Sequence, residues 1–319
     1  MVTNRIRIAL PPTLMPAPPP TGPIVRLGGA TMGTCWSIAY ALPGLAAERV
    51  RSAIETRLAD LIAQLSQWEV ESALARFNRA PAGSWHILPP DFVTVIAAAL
   101  EMVALSGGAF DPAIGRLTDL HGFGPPGPQP APAADAILTA RGAGGAGRLA
   151  FDPAARRLRQ PGGLALDFSG IGKGHAVDAL GAVLDGLGAR DWLVEIGGEL
   201  KGRGMRPDAE PWWVDLETPP GGDVAPLRLA LHGLAVATSG DYVRGAHTLD
   251  PFTGRPVANG VRSVSVIHAS AMWADAWATA LTVLGPTEGL RLADAHGVAA
   301  RIVDKGEHLS VALRAMLHQ

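Results

Sequence analysis

Strand-like and helix-like segments are interspersed along this chain, and few of the strand-like ones are continuous apolar runs. This pattern limits the fold more than any other feature. A parallel sheet covered by helices on both faces needs strands that are apolar throughout, whereas the period-2 alternation of 261–268 suits a sheet whose two faces differ. The expected class is α+β, with largely antiparallel sheets and packed helices. Strands are expected near Ile24–Leu27, Cys35–Tyr40, Trp192–Ile196, Trp212–Glu217 and Val261–His268. Hairpins are expected over 149–158 and around a turn at Lys305 and Gly306. Helical spacing runs through Val50, Ile54, Leu58, Leu61 and Leu65, and again from Phe92 to Val103, closing at Gly107 and Gly108. Further helices are expected over 177–187, 271–284 and 287–296.

With 319 residues, 48% of them hydrophobic and 18% charged, the chain can bury a substantial core and is not of the disordered type. A net charge of −2, 5% aromatic residues and no basic stripe argue against a nucleic-acid platform. Cys35 is the only cysteine, which excludes an intrachain disulfide and a cysteine zinc cage. It is expected to pack as a small hydrophobe. No run of 18 apolar residues offers a membrane segment, and prolines from residue 11 onward interrupt any signal-like run. Cytoplasmic location is the expectation, with the periplasm open if translation starts elsewhere. Residues 1–24 are expected as a flexible Pro-rich tail in polyproline-like conformations. Residues 25–319 are expected as a single domain, with a Gly/Pro-rich surface excursion at 125–147 that holds a short helix near Asp135–Ala140.

Five polar, glycine-rich motifs interrupt this apolar background. In ADAWATA (274–280), Asp275 and Thr279 stand four residues apart and share one face of a helix. A carboxylate and a hydroxyl are oxygen ligands that Mg²⁺ accepts. The same pair also fits an Asp that complements the helix dipole and a Thr that bonds back to a carbonyl. DFSGIGKGHAVD (167–178) sets a carboxylate, three glycines and Lys173 between a short strand and a helix, either as a phosphate cradle or as a plain glycine-rich turn. It is not a Walker A loop, because Asp167 and Gly174 stand where that pattern needs Gly and Ser or Thr. In SGGAFDP (106–112), Asp111 precedes a proline and either lies extended along a ligand or caps the next helix. The segment 237–256 is rich in hydroxyls and offers His247 as a candidate base. Met32 to Thr34 forms the remaining motif.

Taken in order, TMGT, GAFDP, the Asp-led glycine loop, TSGDY, H-x-x-DP-x-TG and ADAxAT resemble the ApbE family of FAD:protein FMN transferases over residues 28–285. The resemblance implies a T-fold-like α+β domain. It also implies an enzyme that uses Mg²⁺ to cleave the FAD pyrophosphate, links FMN through its phosphate to a threonine of a target flavoprotein and releases AMP. The implied metal ligands are Asp275, Thr279 and the backbone carbonyl of Gly170. Implied FAD contacts are Met32, Trp68, Ala109, Phe110, Asp111, Asp167, Lys173 and Leu249. His247 matches the family's proposed base, which together with Asp275 makes the catalytic set. Trp68 stands where relatives often carry tyrosine, and His121 where they commonly carry tryptophan. Two other functions use the same residues: an Mg²⁺-dependent FAD pyrophosphatase giving FMN and AMP, and a non-catalytic flavin-binding protein.

Overall fold

The computed structural model describes residues 6–12, 18–220, 224–240, 245 and 247–317. They divide into two compact units, one formed by Met1–Leu58, Lys173–Val243 and Asn259–Gln319, the other by Ala59–Gly172 and Arg244–Ala258.

The first unit is built on an eight-stranded sheet in which every neighbouring pair is antiparallel. Its order is Glu307–Leu309, Ala299–Val303, Ser263–His268, Leu234–Gly240, Glu199–Arg203, Trp192–Ile196, Thr34–Tyr40 and Val25–Thr31. One face carries Ala39, Val236, Ile267 and Ala299, which pack against Trp212, Leu227, Leu229, Leu313 and Met316. These partners come from a small second sheet and the C-terminal helix Val311–Leu317. The opposite face receives the helices Gly172–Gly186 and Ala271–Ala295. The Trp192 ring lies where a Cβ on Gly181 would fall, so the first of these helices seats close to its strand. Within Ala271–Ala295 the backbone breaks at Gly285, with φ 77°, just before Pro286, which is why two helices were legible there.

The α+β class with mainly antiparallel sheets stands, with some differences in detail. Residues Arg7–Ala9, inside the expected tail, form a strand that pairs parallel to Leu227–Leu231. The Arg7 guanidinium holds Glu307, which also takes the buried Arg301. Burial raises the Glu307 carboxyl, but the two guanidiniums outweigh it and keep the group below its usual range. Cys35 does not pack as a hydrophobe. It is exposed, because alternation along Thr34–Tyr40 sends Trp36 and Ile38 inward and Cys35 out.

The second unit centres on edge-to-face aromatic contacts, Phe77 with Phe92 at 6.3 Å and Phe92 with Phe168 at 5.3 Å. Around them lie the helices Ala73–Arg79, Pro90–Leu105, Gly115–Leu120 and Ala134–Ala143. A three-stranded antiparallel sheet, Trp85–Ile87, Arg157–Arg159 and Ala150–Asp152, completes this unit together with a two-residue ladder at Leu249 and Asp250. The helix in the Gly/Pro-rich excursion is anchored by Ile137, which packs with Leu117 and Leu249. No helix among the described residues is long and apolar enough to cross a membrane.

Candidate active site

In the first unit, the helices beginning at Gly172 and Ala271 meet at their N-termini through two reciprocal carboxylates. Asp275, from the second helix, accepts the backbone N–H of Gly174 in the first turn of the other at 3.0 Å. Asp178, from the first helix, accepts the Met272 N–H at 3.0 Å and the hydroxyl of Ser270, the N-cap of the second, at 2.6 Å. This approach requires glycine at 174, since a Cβ there would run into the Ala271 carbonyl and lie 2.8 Å from the Asp275 Cβ. Asp275 is thus neither a dipole-complementing surface residue nor a simple cap. It joins two helices from a position only 4% exposed, and Thr279 lies one turn further on the same helix face.

Lys173 adds the positive charge. Its Nζ donates to Glu199 Oε1 at 2.5 Å, and Glu199 is 2% exposed. Oε2 of Glu199 has no partner from another residue among those described. Burial and then the neighbouring Asp275 carboxylate push Glu199 up to about 8, against the pull of the Lys173 ammonium. Burial likewise raises Asp275, opposed by Lys173 and the Gly174 N–H. Ionised together, two carboxylates beside one ammonium would leave an excess of negative charge in a place that disfavours it, and a divalent cation suits that donor set. Glu199 was absent from the sequence expectations. Only its position directly after Gly197 and Gly198, in a turn that ends one strand and starts the next, hinted at it.

The second unit brings together two of the other motifs. Asp167 N–H donates to the Pro112 carbonyl at 2.8 Å, and Gly115 N–H to the Ala165 carbonyl at 2.9 Å, which sets the Asp111 and Asp167 segments side by side. Asn78 fastens the strand-like stretch before Asp167 with both amide atoms on Leu166. Asp167 then accepts the Ser169 N–H at 2.7 Å, while Ile171 and Gly172 donate to the Phe168 carbonyl, so Gly170 sits in a tight turn. Asp111 does not cap a helix, since the next one starts at Gly115 after Ile114. It accepts the N–H groups of Ala113 and Ala146, and its burial nevertheless raises its pKa. Asp111, Ile114, Leu117, Leu138, Arg141 and Pro251 contribute to the lining of a cavity of about 360 Å³.

Ala109 and Phe110 are buried beside that segment, with the Phe110 N–H on the Ser106 hydroxyl. Leu249 is part of the small core with Leu117 and Ile137. Trp68 is 59% exposed on the loop after the helix Ala47–Leu65. His247 directs Nδ1 at the Gly245 carbonyl at 2.8 Å, so Nδ1 donates and Nε2 carries the basic lone pair. Residues 241–244 and 246 of the same motif lie outside the described residues. His121, at a position that departs from the family pattern, bonds the Gly254 carbonyl at 2.8 Å. In the first unit, Met32 lies in a hairpin turn, not in a strand.

Comparison with known proteins decides the family. The pattern of the ApbE family matches residues 32–302. The chain belongs to the ApbE family. A Vibrio cholerae protein named FAD:protein FMN transferase is 33% identical over 293 residues, covering 88% of this chain and 87% of its own. Among solved structures, the Pseudomonas stutzeri flavinyl transferase ApbE in its apo form aligns with a TM-score of 0.87 at 37% identity, over 93% of this chain and 97% of that one. The flavin transferase ApbE from Vibrio cholerae aligns at 0.84 and 32%, over 92% and 99%. Members of the ApbE family therefore share both the sequence and the fold of this chain along most of its length.

Proposed function

We propose that this chain is an Mg²⁺-dependent FAD:protein FMN transferase acting on a threonine of a target flavoprotein and releasing AMP. The observation that carries the reading is the buried Asp275 carboxylate beside Lys173, on the helix that also bears Thr279, in a chain whose relatives are named flavin transferases. In this reading Asp275 and Thr279 hold the cation, and the Gly170 carbonyl is the further ligand that the family resemblance implies. When bound, Mg²⁺ supplies positive charge to pyrophosphate oxygens as negative charge builds on them. Lys173, with the amide groups at the start of its helix, adds to the favourable field for phosphate. Asp111 and Asp167 accept hydrogen bonds from the nucleotide, and Met32, Trp68, Ala109, Phe110 and Leu249 are its apolar contacts.

His247 takes the proton of the acceptor hydroxyl at Nε2. The threonine oxygen then bonds to the FMN phosphorus, the bond from that phosphorus to the bridging oxygen breaks, and AMP departs with that oxygen. The test is incubation with FAD, Mg²⁺ and a candidate flavoprotein, read as flavin fluorescence on the partner in a denaturing gel. A labelled band that depends on Mg²⁺ is expected. Accumulation of free FMN and AMP with no labelled protein overturns the transferase reading and makes water the acceptor.

A further inference from the structure

We propose that Glu199 is a second carboxylate of the divalent-cation site, facing the ion alongside Asp275. The inference rests on the Mg²⁺ dependence proposed above and adds a residue to it. Glu199 is the first residue of its strand, delivered by the turn at Gly197 and Gly198, whose φ values are 60° and 103°. Lys201, two residues on, shares its side of the sheet and reaches Asp178 on the Gly172–Gly186 helix at 2.6 Å. Glu199 therefore points to the helix-bearing side, where Lys173 meets it.

Clamping Lys173 needs one oxygen, and Oε1 does it. Oε2 is left buried without a partner from another described residue, a state that costs free energy unless a proton or a cation completes it. Lys173, which holds Glu199, is followed directly by Gly174, whose N–H donates to Asp275 at 3.0 Å, so one helix N-terminus carries a contact to each carboxylate. Lys173 neutralises one of them. Among the described residues no group of three or more His, Cys, Asp or Glu forms a metal cage. Two carboxylates and a hydroxyl suit Mg²⁺, which keeps positions for water and substrate phosphate.

The probe is Mn²⁺ in place of Mg²⁺, with free Mn²⁺ read by electron paramagnetic resonance on the full chain, with and without FAD. Glu199→Gln retains an acceptor for Lys173 but removes the charge, and its Mn²⁺ affinity is expected to fall about tenfold or more while far-ultraviolet circular dichroism is unchanged. Asp275→Asn is expected to lose more. If the unsubstituted chain binds no Mn²⁺ under either condition, the Mg²⁺ reading falls and takes this inference with it. If it binds, Asp275→Asn does not, and Glu199→Gln matches the unsubstituted chain, Glu199 merely holds Lys173 and the inference alone is overturned. Should Glu199→Gln fail to fold because Lys173 is stranded, Lys173→Met is compared with the double variant Lys173→Met/Glu199→Gln, in which neither member of the Lys173–Glu199 pair is left without the other. A similar loss in the double variant supports the proposal, and equal affinities overturn it.

Discussion

Met32 sits at φ 47° next to Gly33 at φ 70°, the two residues of the turn between Val25–Thr31 and Thr34–Tyr40. Hairpin turns of this kind favour Asn-Gly, and a long side chain at the first position is held at a cost of about 1 kcal/mol or more. Strain of this sort gathers at ligand-binding positions, in line with the FAD contact that the family resemblance gives Met32. Met32→Asn should therefore raise the melting temperature and weaken FAD binding in an equilibrium titration; unchanged FAD affinity would remove Met32 from the proposed FAD contacts. His247→Gln belongs to the same scale. Loss of the basic nitrogen is expected to slow flavin transfer by roughly 10²- to 10⁴-fold, with FAD binding retained, as judged by time courses of in-gel fluorescence. Residue by residue, the sequence made Asp275 and Thr279 legible because four-residue spacing fixes a shared helix face. Glu199 was hidden because its role depends on a partner 26 residues away, at Lys173, across a strand-to-helix contact.

Along the strand Glu199–Arg203, alternate residues each meet an opposite charge on the Gly172–Gly186 helix: Glu199 with Lys173, Lys201 with Asp178 and Arg203 with Asp185. Period 2 on the strand meets helical spacing on its neighbour, and the three rungs fix the register of the two elements. Asp178 then passes that register on to the N-terminus of the Ala271–Ala295 helix. Gly174→Ala should disturb this junction by overpacking, at about 1–3 kcal/mol, measured as a fall in the denaturant midpoint. His268, at the strand end leading into Ser270, is held below its usual pKa by burial, aided by the Lys201 charge and opposed by the Ser270 backbone and Asp178. A depressed pKa means the neutral form belongs to the fold. The associated stability is present above about pH 6.5 and is lost as pH falls through the folded-state pKa. The melting temperature of the native chain should accordingly drop more between pH 8 and pH 5 than that of His268→Gln; equal drops would contradict the assignment. Elements with strong periodicity, such as Pro90–Leu105 and Ser263–His268, were legible in the sequence. Arg7–Ala9 was not, because nothing near it in sequence announces that Leu227–Leu231 and Glu307 will receive it.

For the chain as a whole, the proposed cation site ties metal affinity to conformational stability through one pair of buried carboxylates. Glu199 and Asp275 are both pushed toward the protonated form, so the folded chain without metal either binds an extra proton or carries unbalanced charge. A divalent ion that binds only the folded state removes that penalty, and its effect grows with concentration, reaching about 2.7 kcal/mol at a hundredfold excess over Kd. In a chain of this size that corresponds to a rise in melting temperature on the order of 5 °C. Mg²⁺ added to an EDTA-treated sample should produce such a rise, and flavin transfer should return with it. Asp275→Ala removes one member of the charge pair, so it should lose both the Mg²⁺-induced rise and transfer, while some FAD binding survives. A variant that still melts higher in Mg²⁺ and still transfers flavin would show that the ion binds elsewhere. The reading built on the two helix N-termini would then fail for the whole molecule, even with the family assignment intact.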